Sequence, residues 1–200
     1  ILKIMSKIPE QVVGKSLDYS RKLTLPNETM AYNRYREIVK KLIDVNAWQQ
    51  IAVGLSAEFV IVNEKKEVLM RRVKKNDFIR IDIPGPGSPS AGGYDYVKVT
   101  SLDQYDHKNK RKTFLSLQPS PDPSTLGDDA AHFFKKYTSS NIVIKQEGNS
   151  VSLHYAGRNE VINTETENVL DNIRNFLVGL GAKLGASYPQ WKALIDGLAK

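Results

Sequence analysis

The chain has 200 residues, of which 40% are hydrophobic and 26% charged, a composition that supports a folded core without covalent staples. It contains no cysteine, which excludes disulfide frameworks, thiol nucleophiles, Cys-ligated zinc and iron–sulfur clusters. A net charge of +7 favours anionic partners such as nucleic acid or acidic lipid.

Residues 1–26 scatter Pro9, Gly14 and Pro26 among charges and read as an irregular N-terminal arm, leaving 27–200 as one domain. The opening Ile1–Pro9 is too short and too interrupted by Lys3 and Lys7 for a signal-peptide apolar region. No stretch approaches the ~18–20 apolar residues of a membrane span, so the expectation is a cytoplasmic protein with no membrane span. Asn27 with Glu28 behind it predicts a capped helix to about Val45, with Ile38, Val39, Leu42 and Ile43 on one stripe.

From residue 57 the period becomes that of strands. Ala57–Val62, Val68–Val73, Phe78–Ile83, Tyr94–Val99 and Thr113–Leu117 give about five short segments, predicting an antiparallel sheet or small β-barrel. Pro119, Pro121 and Pro123 punctuate the chain, so a subdomain seam is expected at 119–127. A short helix over 128–137 is followed by a hairpin, 141–146 and 151–155, turning at Glu147-Gly-Asn-Ser150. Thr164-Glu-Thr-Glu167 is a capping box that opens a helix to about Ala186, interrupted by Gly179, Gly181 and Gly185. Trp191, Leu194, Ile195 and Leu198 mark a closing helix. The fold class is therefore α+β: a central sheet or small barrel with an N-terminal helix and two C-terminal helices packed on it.

Catalytic signatures are sparse. The Gly/Pro-rich stretch 83–93 is followed by Tyr94-Asp95 in place of the Lys-Ser/Thr of a phosphate loop, and its three prolines lack N–H donors; it reads as a long loop. His107, His132 and His154 stand in no metal-ligand spacing, and no G-x-S-x-G elbow exists. No catalytic residue, metal or cofactor is assigned. The connection Gly157-Arg-Asn-Glu160, after a strand ending in His154, gathers unlike polar groups, so His154, Arg158, Asn159 and Glu160 are candidate ligand contacts; its other reading is a loop pinned by Arg158 and Glu160. Basic clusters at Arg71, Arg72, Lys74 and Lys75 and at Lys108, Lys110, Arg111 and Lys112, with Tyr94, Tyr96 and Tyr105 nearby, are candidate anion or nucleic-acid contacts. Lysine and arginine in turns equally serve to keep sheet edges soluble.

The blocks Ile79–Gly87, Ala131–Phe134, Gly157–Glu160 and Gln190–Lys192 resemble those of an uncharacterised bacterial protein family over about residues 45–200. The resemblance implies a bacterial origin and carries over no reaction, cofactor or site residue. Function is expected to be a non-enzymatic binding or assembly module with a protein partner or self-association. The alternative is a nucleic-acid-binding small barrel using basic loops, and the third is a hydrolase acting through His154, Arg158 and Glu160.

Overall fold

The structure, a computed structural model, describes residues 8–12, 15–52, 57–82, 94–125, 139–160 and 188–200. Its elements in chain order are β1 (Lys15–Thr24), α1 (Glu28–Leu42), α2 (Trp48–Ile51), β2 (Glu58–Val62), β3 (Phe78–Asp82), β4 (Asp95–His107), β5 (Lys110–Ser120), β6 (Ser139–Glu147), β7 (Ser150–Glu160) and α3 (Tyr188–Ala199). The strands form one seven-stranded sheet in the order β1-β7-β6-β5-β4-β3-β2. Every neighbouring pair is antiparallel. The fold is mixed α+β, and the sheet stays open: among the described residues β1 and β2 are its edges and do not meet, which corrects the small-barrel expectation.

Helix α1 forms where its cap was expected. The Asn27 side chain accepts a hydrogen bond from the Met30 N–H at 2.9 Å, and Ala31, Tyr35, Ile38, Val39 and Leu42 bury one stripe. That stripe lies on the sheet face we call inner, where the Tyr35 hydroxyl and Thr113 Oγ1 share a hydrogen bond of 2.7 Å. Helix α3 packs on the same face against β1 and β7. Trp191 stacks on Tyr155 with centroids 5.5 Å apart and meets Trp48 edge-on at 6.3 Å. Backbones also come close here: a Cβ on Gly197 of α3 would stand 2.4 Å from the Ile51 carbonyl oxygen.

Three segments depart from the sequence reading. Residues 15–24 are a strand, not an arm: Leu17, Tyr19 and Leu23 share the inner face with Arg21, which breaks the apolar alternation. Arg21 is tolerated there because Asp196 of α3 meets it at 2.5 Å and also accepts from the Tyr19 hydroxyl at 2.7 Å. Residues 68–73 form no strand; only Val68 bridges to Val62. Asn46 takes over part of that ladder, accepting from the Ile61 N–H and donating to the Leu69 carbonyl. Residues 157–160 continue β7, Gly157 opposite Leu17 and Glu160 opposite Lys15, so the expected loop is a strand.

The hairpin at 147–150 is as expected, with Gly148 at φ +55°. Strand β5 runs through Pro119 to Ser120, so the first residues of the proposed seam belong to the sheet. The helices expected over 128–137 and 164–186, and the loop 83–93, lie outside the described residues. Among those described, no helix is long and apolar enough to cross a membrane.

Candidate functional site: a basic, aromatic corner of the sheet

In an antiparallel sheet, residues directly opposite share a face, and alternate residues along a strand change face. The registers therefore fix which side chains lie in a row across the outer face, opposite the helices. One row reads Lys22 on β1, Ser152 on β7, Lys145 on β6, Lys112 on β5 and Tyr105 on β4. The next reads Thr24, Ser150, Glu147, Lys110 and His107. At about 4.8 Å between strands, the first row spans about 19 Å.

Four lysines thus stand in these two rows with the carboxylate of Glu147, and Asp103, two residues before Tyr105 on the same face, adds a second beside them. Glu147 bonds Lys110 at 2.6 Å and Lys145 at 2.7 Å, and these two partners pull its carboxyl down to about 2. At the β4 end, the exposed rings of Tyr105 and His107 lie nearly parallel, 6.2 Å between centroids and 17° apart. Tyr105 also borders a cleft of about 310 Å³ between α1 and the tail of β4, which Arg36 and Lys40 line. The combination can hold phosphates on the ammonium groups and offer flat rings to bases.

The 107–112 cluster is divided by the strand period. Lys110 and Lys112 face outward, whereas Arg111 turns to the inner side, where it pairs with Asp106, bonds Gln146 and lies 4.2 Å over the Tyr32 ring of α1. Lys108 occupies the β4–β5 turn at φ +51°. The other cluster sits on the β2–β3 connection, where Arg71 clamps Asp77 with bonds of 2.6 and 2.8 Å and Arg72, Lys74 and Lys75 are exposed. That connection is tied to Val99 through Asn76 and Asp77, and His107 lies eight residues further along β4, about 27 Å at the usual rise. The two clusters are therefore separate surfaces.

Tyr96, grouped by sequence with the candidate nucleic-acid contacts, is buried with Val62 and Phe78 in a small cluster on the outer face, with Tyr94 packed against it and Arg80 4.5 Å over the Tyr94 ring. Sequence reasoning missed Lys22 and Lys145. The signal that could have found them is parity: each lies on a strand at an outward position, but only pairing puts them in line with Lys112.

A second polar group lies on the outer face of β1 and β7. Asp18 receives two bonds from Arg158, 2.8 and 2.9 Å, and meets His154 Nε2 at 3.1 Å, while His154 Nδ1 lies 2.6 Å from Ser20 Oγ. Sequence singled out His154 and Arg158; the structure brings them together through Asp18 and Ser20, and continues Asn159 and Glu160 along the strand. A serine, a histidine and a carboxylate in series has the connectivity of a nucleophile relay. Here, however, the carboxylate is held by a guanidinium, and Asp18 and His154 keep 44% and 32% of their side chains exposed; the contacts tie β1 to β7. Among the described residues no cluster of three or more His, Asp or Glu could hold a metal ion.

No protein-family model matches the chain, and no curated protein matches it. Among solved structures, the chain is similar to the hypothetical protein jhp0584 of Helicobacter pylori, with a TM-score of 0.46 and 11% identity over 94% of this chain and 87% of that one. Protein Ms6760 of Mycobacterium smegmatis gives a TM-score of 0.38 and 12% identity over 92% and 88% of the two chains. The major latex-like protein 151 of Panax ginseng gives 0.34 and 9% over 86% and 98%.

Proposed function

We propose that the protein is a non-enzymatic binding module whose ligand is single-stranded nucleic acid, held on the outer face of the sheet. The observation that carries the reading is the cross-strand row Lys22, Lys145 and Lys112 ending at the stacked Tyr105 and His107. Phosphate attraction gives such a surface its affinity, and ring stacking on a base contributes about 1–3 kcal/mol without demanding a sequence. The flat rings favour bases over a lipid headgroup, which offers nothing to stack. The reading differs from the barrel alternative in its residues: the working cations come from three strands, β1, β5 and β6, and not from the loops.

The test is fluorescence anisotropy of a labelled mixed-sequence single strand at low and near-physiological salt. Replacing Lys112 and Lys145 together by alanine is expected to weaken binding and to lower the salt slope by about 1.4, at ~0.7 per phosphate contact. Tyr105→Ala is expected to weaken binding by at least about fivefold while leaving the slope unchanged, since stacking carries no counterion release. Replacing Arg72, Lys74 and Lys75 by alanine is expected to leave affinity within about twofold at near-physiological salt, where charges beyond ~10 Å are screened. A loop variant that abolishes binding while the strand variants retain it would overturn the assignment.

A further inference from the structure

Strand β1 is an edge, and its sequence is complementary to itself. Among the described residues its outer side pairs with no strand, so alternate residues present backbone N–H and C=O groups that can template another strand; of these the Asp18 carbonyl accepts from the Tyr188 hydroxyl of α3 at 3.3 Å, a bond the incoming strand would replace. In a two-fold antiparallel pairing of one strand with its own copy, residues on the same face must meet, so the two partners' numbers sum to an even value. With Ser20 on the axis, Ser20 meets Ser20, Tyr19 meets Arg21, Asp18 meets Lys22 and Leu17 meets Leu23, each pair but the first occurring twice.

That register places opposite charges opposite, an aromatic ring against a guanidinium, and leucine against leucine. Leu17 and Leu23 are partly buried inner-face residues, so their contact would continue the core of each copy. Neighbouring registers are worse. Moving the axis to Arg21 sets Arg21 against Arg21 and separates Asp18 from Lys22; moving it to Tyr19 sets Leu17 against Arg21 and Ser16 against Lys22. Within one copy Asp18 already meets Arg158 and His154, and Arg21 meets Asp196 and lies 5.4 Å over the Tyr19 ring, yet Asp18 keeps 44% of its side chain exposed and Arg21 51%.

We propose that two copies of this chain associate through β1, antiparallel about Ser20, joining their sheets edge to edge. The inference goes beyond nucleic-acid binding and shares only Lys22 with it.

The absence of cysteine gives a clean test. Ser20→Cys introduces the sole thiol of the chain, and directly opposed Cα atoms, about 4.5–5.5 Å apart, lie within disulfide range. Under mild oxidation without nucleic acid, Ser20→Cys is expected to form a covalent dimer at least about tenfold faster than Thr24→Cys, whose copies lie eight positions apart in this register. Sedimentation of the unaltered protein is expected to show a dimer by about 100 μM, and Lys22→Asp, which faces Asp18 with a like charge, to weaken it at least about tenfold. A monomer throughout that range, or equal cross-linking of the two cysteine variants, would overturn the proposal. Since neither measurement contains nucleic acid, failure of the binding reading would leave this result standing, and the reverse.

Discussion

Alanine at Gly197 sets two well-characterised effects against each other. Helix propensity alone favours the change by about 1 kcal/mol. The added carbon, however, would lie 2.4 Å from the Ile51 carbonyl oxygen and 2.9 Å from the Ala52 Cα, far inside the ~3.5–4.0 Å of ordinary contact. Both neighbours are backbone, so no side-chain rotation relieves the overlap, and α3 must move away by about 1 Å. Trp191, Leu194, Ile195 and Leu198 are buried on that helix and would move with it. Overpacking of this kind costs about 1–3 kcal/mol, and a backbone clash belongs in the upper part of that range, so the net expectation is a loss of about 1–2 kcal/mol. With a urea slope of roughly 2 kcal/mol per M, the unfolding midpoint should fall by about 0.5–1 M at unchanged slope. A midpoint equal to or above that of the unaltered protein would refute the close approach of α3 to α2.

Asn27→Ala removes the side-chain acceptor for the Met30 N–H and is expected to lower stability by about 1 kcal/mol in the same urea assay, whereas Asn27→Asp should hold it. Glu147 is ionised in the folded state down to about 2, below its ordinary 4.5, so its contribution to stability is present above the ordinary value and lost as pH falls through the folded one. Thermal unfolding compared with Glu147→Gln should therefore show a gap that is constant at neutral pH and closes on acidification towards pH 2; a gap that persists at that acidity would contradict the ion-pair assignment. The same variant releases Lys110 and Lys145, and single-strand affinity should rise. His154→Ala should leave single-strand binding unchanged, and no ester or phosphoester turnover by the unaltered protein should depend on His154.

Local patterns were legible where one segment carried the whole message. The Asn27 cap, the apolar stripe of α1, the turn at Gly148 and the closing helix around Trp191 each depend on neighbours in sequence. Strand β1 was hidden because Arg21 occupies an inner-face position, and the residue that makes this tolerable, Asp196, lies at the other end of the chain. The 68–73 segment has strand composition, but its ladder stops after the Val68–Val62 bridge and the Leu69 N–H bond to the Ile61 carbonyl, because Asn46 takes the next pair, the Ile61 N–H and the Leu69 carbonyl. The candidate site was half visible: Lys110, Lys112 and Tyr105 stood in one basic segment, but a one-residue step sent Arg111 to the other face, and Lys22 and Lys145 joined only through pairing. Likewise His154 and Arg158 were singled out without Asp18, the carboxylate that holds both.

The most direct test of the functional account is to map the footprint of a short mixed-sequence single strand on the isotopically labelled protein by amide chemical shifts at near-physiological salt. The account predicts changes concentrated at Tyr105, His107, Lys110, Lys112, Lys145 and Ser152, spreading to Lys22, with the connection carrying Arg72, Lys74 and Lys75 quiet. Changes confined to that connection, or none at a ligand concentration of about 1 mM, the weak end of measurable affinity, would contradict it.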